Sequence, residues 1–333
     1  MRVARLFSVF LITSASLSMS VQAFEIIAHR GASGYLPEHT LEAMALAHAQ
    51  GPDYIEQDLV LTRDSQLVVL HDIHLETVTD VEQKFPERAR EDGRYYALDF
   101  SLAELKTLHV RERQNADGTP VFSNRYAGNG HFTIATFEEQ LTTIAELNRL
   151  TGRNIGYYPE IKSPAWHRAE GYDISSLVLA TLRKYELDSP TAPIYLQCFD
   201  FAEVKRLRNE LGAKVKMVQL IADDEWGESP TDYGALKTPQ GMQEAAKYVQ
   251  GIGPWLGHVT QTSNPTSFEL ADWVKTAQAE GLHIHPYTFR LDALPPGITA
   301  EQLLQLITGK WQFDGVFTDQ VPPVKAFIER STD

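Results

Sequence analysis

Residues 25–40, EIIAHRGASGYLPEHT, join a short apolar run to polar residues that gather where the run ends. The run from Glu25 to His29 has the length and composition of a buried strand. Glycines then allow the chain to turn tightly, and Thr40 can cap the helix that follows. A strand that ends in polar side chains and leads into a helix is the repeating unit of an α/β fold.

The same unit recurs along almost the whole chain and predicts the architecture. Eight strands, each followed by a helix, predict a (β/α)8 TIM barrel of the α/β class. A doubly wound open sheet is the rival fold, and the strand count with the placement of the polar motifs favours the barrel. The helices are predicted to begin near Thr40, Thr136, Ile174, Phe201, Gln240, Ser267 and Thr299, with a last helix from Val321 to Arg330. The predicted strands are Glu25 to His29, Tyr54 to Val60, Ile155 to Ile161, Ile194 to Cys198, Val215 to Leu220, Tyr248 to Ile252, His283 to Tyr287 and Gly315 to Thr318.

One long interval between the second and third strands lacks a clear strand–helix unit. It covers about residues 73–132, is rich in charge and contains Asp-Gly turns at Asp92 and Asp117. A barrel needs about 250 residues, so a small insertion after strand two would account for the additional length. We interpret the insertion either as a surface excursion or as a cap that shapes a pocket at the barrel mouth.

The N-terminal residues 1–23 are predicted to be a secretory signal peptide. Arg2 and Arg5 precede a short apolar run, and small residues follow it. A transmembrane anchor is the alternative, but the run is too short to cross about 30 Å of hydrocarbon. We therefore expect one barrel domain at residues 24–333, located in the periplasm and without stable membrane insertion.

The charge of the chain limits its partners. The formal net charge is −14, which disfavours nucleic acid and anionic membrane surfaces. An anionic substrate would therefore need a local positive site. Cys198, the only cysteine, lies in an apolar run, which predicts a buried thiol and excludes an intrachain disulfide. The sequence leaves a homodimer open.

Three carboxylates are predicted to form a metal site. Glu56 and Asp58 are two apart on the second strand, so their side chains share a face. Glu160 ends the third strand, and the carboxyl ends of barrel strands meet at one face of the barrel. Oxygen ligands favour one divalent cation, Ca²⁺ or Mg²⁺, over zinc or copper. A set of salt-bridged carboxylates is the alternative, although burial of an acidic pair without a cation is costly.

Two histidines and two basic residues are expected near the same face. His29 ends the first strand, and His71 follows the short run that comes after the second strand. Imidazole titrates near neutral pH, so the two rings can act as a general base and a general acid. Arg30 and Lys162 can bind the oxygens of a phosphate. A salt bridge to carboxylates such as Glu38 is the alternative role for both.

These motifs resemble the glycerophosphodiester phosphodiesterase family over essentially the whole chain after residue 23, and periplasmic bacterial members above all. The resemblance implies a TIM barrel and a metal-dependent enzyme. It also implies small-molecule glycerophosphodiesters as substrates, hydrolysed to sn-glycerol 3-phosphate and an alcohol. The segments that carry the resemblance are His29 to Thr40, Glu56 to Asp72, Asp92 to Phe100 (DGRYYALDF), Pro159 to Lys162, Tyr195 to Asp200 (YLQCFD) and His285 to Thr288 (HPYT).

The resemblance further implies roles for particular residues. It makes His29 and His71 the acid–base pair, and we assign the base to His29 and the acid to His71. Ca²⁺ is the ion that it implies for periplasmic members, with Mg²⁺ as the alternative. It adds three residues at the ends of predicted strands four and seven to the substrate pocket, namely Gln197, Phe199 and Tyr287.

Two other functions agree with part of this pattern. An inactive periplasmic binding or adhesion protein could keep the scaffold, although binding alone needs no acid–base pair. A phospholipase-D-like phosphodiesterase could act on intact lipids, although the acidic chain lacks a basic amphipathic segment that would favour a membrane surface. Tryptophan more often packs than recognises a ligand, so no role in the site is assigned to Trp226, Trp255 or Trp311.

Overall fold

The computed structural model describes residues 24–261 and 268–332, and strands form its centre. The predicted signal peptide therefore lies outside the described residues. The strands are β1 (Glu25–Ala28), β2 (Tyr54–Leu61), β3 (Leu67–Val69), β4 (Gly156–Ile161), β5 (Tyr195–Cys198), β6 (Lys216–Ile221), β7 (Gly251–Pro254), β8 (His283–Ile284) and β9 (Gly315–Thr318).

Eight of these strands pair in parallel in the order β8-β7-β6-β5-β4-β2-β1-β9. The two ends of this order approach each other around the barrel. The N–H of Phe289 donates to the carbonyl of Phe317 at 2.8 Å, and the N–H of Phe317 donates to the carbonyl of Pro286 at 3.0 Å. The sheet is thus a nearly closed barrel of eight parallel strands. The predicted TIM barrel is confirmed, and the open sheet is excluded.

Helices accompany the strands, and three of them begin where the sequence carries a capping signal. The hydroxyls of Thr40, Thr136 and Thr299 each accept a hydrogen bond from the backbone N–H three residues later. The helices are α1 (Leu41–Gln50), α2 (Val81–Lys84), α3 (Leu102–Leu105), α4 (Phe137–Thr151), α5 (Pro164–Ala169), α6 (Ile174–Lys184), α7 (Phe201–Asn209), α8 (Tyr233–Leu236), α9 (Pro239–Ala245), α10 (Asp272–Ala279), α11 (Ala300–Gln305), which continues as a π-helical turn (Leu306–Lys310), and α12 (Val321–Thr332).

Alternation along the strands separates the barrel interior from the layer that the helices cover. Ile26 and Ala28 belong to the core outside the barrel, whereas Ile27 packs inside it. The same period of two places Tyr158 and then Glu160 on the inner face of β4. Apolar and aromatic side chains therefore fill the lower part of the barrel. The polar side chains that follow them along the strands lie above this packed apolar layer.

A hairpin returns the chain to the barrel mouth after the second strand. β2 continues beyond its barrel neighbours, and β3 folds back against it as an antiparallel strand, with Leu59 opposite Val69. The N–H of Leu70 then donates to the carbonyl of Asp58 at 2.9 Å. The backbone of the next residue, His71, therefore lies close to the carboxyl end of the barrel.

Residues 70–136, which we call the β3–α4 segment, pack around an apolar core of their own. Because this core also includes residues of β2 and β3, the segment is anchored to the barrel. A segment that is packed in this way can place polar side chains accurately at the site. The buried members of the core are Val60, Val68, Leu70, Leu75, Val78, Val81, Tyr95, Ala97, Phe100, Leu105, Leu108, Val110, Phe132 and Ile134.

The bounds of two strands differ from the prediction by more than one residue. The strand expected at residues 248–252 begins only at Gly251, because the N–H of Tyr248 still bonds to a helical carbonyl. β8 has only two residues, although the N–H of Tyr287 still donates to the carbonyl of Pro254 at 2.9 Å. The helix expected near Ser267 falls at residues outside the described part, and α10 begins at Asp272.

Two further expectations concern burial and membranes. Cys198 is buried, as predicted, and burial raises the pKa of its thiol well above the usual value. Among the residues that the structure describes, no helix combines the length and the apolar character needed to cross a bilayer.

Candidate active site

Three carboxylates from β2 and β4 meet at the barrel mouth. Glu56 and Asp58 lie two apart on β2, and the parallel register places Glu160 of β4 beside Asp58. One oxygen of each side chain lies within 4.8 Å of the other two, and all three side chains are buried. A single cation could contact all three carboxylates at this spacing.

The neighbours of these carboxylates compensate their charge only in part. Burial opposes ionisation of Asp58, but His39, whose Nε2 lies 2.7 Å from Oδ2, holds the pKa well below its usual range. Burial and the adjacent Asp58 raise the pKa of Glu56 well above the usual value. Burial does the same to the pKa of Glu160, against the attraction of Lys162. Oδ1 of Asp58 is buried and has no hydrogen-bond partner among the residues that the structure describes. A cluster of oxygens with excess charge and an unpaired buried oxygen fits a hard divalent cation.

A tight turn after β1 directs backbone and side chain toward this cluster. Gly31 has a φ of 77°, and a Cβ there would lie 3.0 Å from the backbone of Ala43. Only glycine fits both restrictions. Arg30, with a φ of 56°, also adopts the left-handed conformation, and its N–H donates to Oε2 of Glu56 at 2.8 Å. The first motif is thus fixed to β2 through the backbone.

His29 stands beside the carboxylates and is held by a residue from the far end of the chain. Its Nδ1 lies 2.6 Å from Oδ1 of Asp319, which directly follows β9, and its Nε2 lies 3.7 Å from Oε2 of Glu56. Burial and the charge of Arg30 lower the pKa of His29 to about 4, although Asp319 opposes this shift. The ring is therefore neutral near neutral pH. Its Nδ1–H donates to Asp319, which leaves Nε2 to accept a proton.

His71 has the same arrangement with its own sequence neighbour. Its Nδ1 lies 2.6 Å from Oδ1 of Asp72, so Asp72 orients the ring. Burial, Arg30 and Lys162 lower the pKa of His71 to about 3. Both histidines thus present Nε2 as the nitrogen without a carboxylate at hydrogen-bonding distance.

The two basic residues predicted to bind phosphate are placed differently. Arg30 lines the pocket, and its Nη1 lies 3.1 Å from Oε2 of Glu38. Lys162 is buried, with Nζ 2.9 Å from Oε1 of Glu160 and 3.7 Å from Oε2 of Glu228. The ammonium group of Lys162 is not part of the pocket wall, and its nearest charged contact is a carboxylate of the cluster.

One open cavity of about 250 Å³ at the barrel mouth collects these side chains. Nine of the ten predicted site residues line it, and Lys162 is the exception. Gln197 donates to Oε1 of Glu56 at 2.9 Å, while the rings of Phe199 and Tyr287 lie 6.0 Å apart. The wall is completed by Leu220, Trp226, Glu228, Trp255, Thr288, Arg290 and Phe317.

The three tryptophans, to which the sequence assigned no role in the site, are placed differently. Trp311 is buried in the core. Trp226 and Trp255 are 44% and 41% exposed, and both line the cavity. Their rings lie 5.4 Å apart, and both contact the ring of His258. Large indoles that remain exposed beside a cavity are available to contact a ligand.

A sequence model of the Glycerophosphoryl diester phosphodiesterase family matches residues 29–322. The matched range includes the barrel strands from β2 to β9 and every site residue described above. This chain belongs to that family.

Individual relatives are similar in sequence to this chain over most of their length. A glycerophosphodiester phosphodiesterase from Haemophilus influenzae is 44% identical over 315 residues, which cover 88% of this chain and 86% of that protein. A second one, from Treponema pallidum, is 38% identical and covers 88% of both chains. A crystal structure from Silicibacter pomeroyi has a TM-score of 0.72 at 22% identity and covers 94% of this chain and 95% of that one, which supports the shared fold.

Several residues at the site of this family member were missed by the sequence analysis. Asp319 carried a usable signal, because it follows β9 at the same barrel face as the predicted residues. Arg113, Arg125 and Glu228 carried none, since they lie on long connections without a regular period. His39 follows Glu38, which the sequence offered only as an ion-pair partner, and the contact of His39 with the cluster depends on how β1 and β2 are placed.

Proposed function

We propose that this family member is a metal-dependent hydrolase of glycerophosphodiesters that releases sn-glycerol 3-phosphate and an alcohol. One observation carries the proposal, namely the convergence of a carboxylate cluster and two carboxylate-held histidines on one cavity. The cluster offers a cation site, and the histidines offer proton transfer. The relatives at 44% and 38% identity bear the name of this activity.

Glu56, Asp58 and Glu160 would hold the cation. A divalent ion bound there would polarise the phosphoryl oxygens of the diester and help to orient it. Carboxylate oxygens suit both Ca²⁺ and Mg²⁺. We propose Ca²⁺, because the sequence motifs resemble those of periplasmic members, and Mg²⁺ is the alternative.

Arg30 would bind the phosphate, since its guanidinium lines the cavity next to the carboxylate cluster. Glu38 pairs with this guanidinium and limits its rotation. Lys162 would act less directly, because its ammonium group fixes Glu160 and offsets part of the cluster charge. Phe199 and Tyr287 would pack against carbon atoms of the substrate.

The two histidines would move the protons of the reaction. Nε2 of His29 takes the proton of the nucleophile as the nucleophile oxygen forms its bond to phosphorus. The bond between phosphorus and the alcohol oxygen then breaks, and Nε2 of His71 gives a proton to that oxygen. Asp319 stabilises the imidazolium that forms on His29. His71 needs a proton at the start, and the negative phosphodiester beside it favours that protonated form.

The nucleophile is either water or the 2-hydroxyl of the glycerol. Attack by water gives sn-glycerol 3-phosphate in one displacement. Attack by the hydroxyl gives a cyclic phosphate, which water then opens with the histidine roles reversed. Both routes consume one water and release the same products.

The cavity volume supports small diesters over intact lipids. About 250 Å³ suits a phosphate with a glycerol and a small alcohol, and an intact phospholipid would leave its acyl chains outside. We propose that the protein acts in the periplasm on deacylated phospholipids. Removal of residues 1–23 would leave residues 24–333 as the catalytic barrel.

The proposal is tested by release of glycerol 3-phosphate from glycerophosphocholine by metal-stripped protein, with and without added Ca²⁺ or Mg²⁺. Restoration of activity by one of the ions is the expected result. Full activity in chelator would remove the metal role from the three carboxylates. If no diester yields glycerol 3-phosphate under any condition, the protein is not this hydrolase, and retained binding would favour the inactive binding protein.

A further inference from the structure

We propose that the β3–α4 segment positions both histidines through two largely buried arginines, Arg113 and Arg125. This inference rests on the proposed function, because it assigns the segment a role in that same reaction. Arg113 contacts the carboxylate that holds His71, and Arg125 contacts the carboxylate that holds His29. The segment is therefore part of the catalytic apparatus rather than a surface excursion.

Arg125 reaches the base side of the site. Its Nη2 donates to Oδ2 of Asp319, whose other oxygen lies 2.6 Å from Nδ1 of His29. Its side chain is 4% exposed, and its guanidinium lies 3.6 Å from the ring centre of Phe122 in the same segment. A second bond at 2.9 Å from Nε to Asp292 fixes the plane of the guanidinium. Asp319 therefore cannot rotate without breaking a bond to the segment.

Arg113 contacts the carboxylate behind His71, the proposed acid, in the same arrangement. Its Nη1 donates to Oδ2 of Asp72, whose Oδ1 lies 2.6 Å from Nδ1 of His71. Its Nε and Nη2 donate to the two oxygens of Glu38 at 3.1 and 2.6 Å. One guanidinium thus joins the carboxylate behind His71 to the carboxylate that pairs with Arg30.

Stability alone does not account for these contacts. A buried ion pair gains little net free energy, because each charge loses its hydration. The segment also has an apolar core and a more exposed ion pair to the barrel, between Arg90 and Glu170, which attach it without any contact to the site. Arg113 and Arg125 add something different, because their planar guanidinium groups bind each carboxylate in one orientation. Each histidine ring then inherits that orientation.

Double-mutant cycles test this inference. Arg113→Met should lower kcat of the wild type by about tenfold or more, but lower kcat of the His71→Ala variant by no more than about threefold. Arg125→Met should show the same relation with His29→Ala. Equal losses in both backgrounds would mean that the arginines act independently of the histidines, and the inference would be overturned. Wild-type hydrolysis of glycerophosphocholine is measured in the same assay. A wild type without activity would contradict the proposed function, whereas an active wild type with equal losses would contradict only this inference.

A second measurement compares leaving groups. The loss caused by Arg113→Met is measured on glycerophosphocholine and on a nitrophenyl diester of glycerol phosphate, whose leaving group needs no proton. For each variant, the loss of kcat on the choline diester is divided by the loss on the nitrophenyl diester. This ratio should be the same for Arg113→Met and His71→Ala, and the same for Arg125→Met and His29→Ala. Ratios that do not match contradict the assignment of each arginine to its histidine.

Two variants control for folding. Arg90→Met breaks the ion pair that joins the segment to Glu170 away from the site and should leave kcat within about twofold of the wild type. A loss as large as that of Arg113→Met would show that loosening the segment is sufficient, which overturns the inference. If Arg113→Met does not fold, Arg113→Lys enters the same cycle and the same ratio, because lysine keeps the charge but cannot bridge Asp72 and Glu38.

Discussion

Nδ1 of His29 lies 2.6 Å from Oδ1 of Asp319, although the two residues are 290 positions apart in the chain. The pair forms because β1 and β9 are neighbours in the barrel and both deliver a residue to the same end. Burial opposes the charge on Asp319, but His29 and Arg290 hold the pKa of this carboxyl well below its usual range. A permanent carboxylate at this position fixes the proton of His29 on Nδ1.

Asp319→Asn should therefore lower kcat by about 10²–10⁴-fold with a smaller change in KM, because an amide cannot stabilise the imidazolium on His29. Steady-state release of glycerol 3-phosphate measures both constants. Asp173→Asn makes the same exchange in an ion pair with Arg206 outside the cavity, and it should retain activity. A rise in KM at constant kcat would show that Asp319 serves substrate binding instead.

Glu56→Gln should remove most of the stabilisation that Ca²⁺ provides. A cation that binds only the folded wild type adds about 2.7 kcal/mol to the free energy of unfolding at 100 times its Kd. The variant should be at least as stable as the wild type in chelator, since it removes a charge whose burial already raises the pKa of Glu56.

Urea unfolding with chelator and with Ca²⁺ measures this response in both proteins. Glu228→Gln is the matched control, because Glu228 lines the cavity and lies 3.7 Å from Lys162, outside the three-carboxylate cluster. The control should keep the response to Ca²⁺. Wild-type protein whose unfolding ignores both Ca²⁺ and Mg²⁺ would contradict a metal site at the cluster.

Glu112 should make stability fall as pH rises from about 4.5 to 7. Burial raises the pKa of Glu112 to about 7, with Glu38 and Asp319 adding to the shift and Arg125 opposing it. Because the folded state then binds this proton more tightly than the unfolded state, stability is lost as pH rises through the window. Glu112→Gln should flatten the curve between pH 5 and pH 8.

Free energies of unfolding from urea titrations at pH 5, 6, 7 and 8 test this difference. Glu210→Gln, at a largely exposed carboxylate, is the control and should keep the wild-type slope. Parallel curves for the wild type and Glu112→Gln would mean that Glu112 titrates as it does in the unfolded chain.

Trp226→Ala and Trp255→Ala should each raise KM by about tenfold while kcat changes less, because the indoles form the exposed wall of the cavity and touch no histidine assigned to proton transfer. KM is measured for glycerophosphocholine and for glycerophosphoglycerol. Equal increases of KM for the two diesters would mean that the indoles contact the glycerol that both share. Unequal increases would mean that they contact the alcohol, which differs. Leu150→Ala, at an exposed apolar residue outside the cavity, should leave KM unchanged. Variants with wild-type KM for both diesters would show that these indoles do not contact the substrate.

Local pattern was sufficient to find the centre of the site. His29 and Glu160 lie at or next to the ends of their predicted strands, Glu56 and Asp58 lie within the second strand, and parallel barrel strands end at one face. The period of two places Glu56 and Asp58 on the inner side of β2. These residues therefore converge in any barrel that this pattern of strands can form, whatever the path of the loops.

The partners of these residues depended on longer-range structure. Asp319 reaches His29 only because the barrel closes, and His39 reaches Asp58 only because the first motif is fixed to β2. Lys162 follows Glu160 by two residues, and yet its ammonium group turns to that carboxylate and leaves the cavity wall. Local periodicity predicts which face of the strand carries a side chain, but it does not predict where the terminal group of a long side chain lies.

The sequence by itself determined the barrel, the helix starts at threonine caps and the set of groups at the mouth, because each of these follows from short-range period and composition. Only the tertiary structure decided that Asp319 holds His29, and that Arg113 and Arg125 contact the carboxylates behind the two histidines. The physical reason is that these contacts join residues from 41 to 290 positions apart. Their geometry is set by barrel closure and by the packed core of the β3–α4 segment.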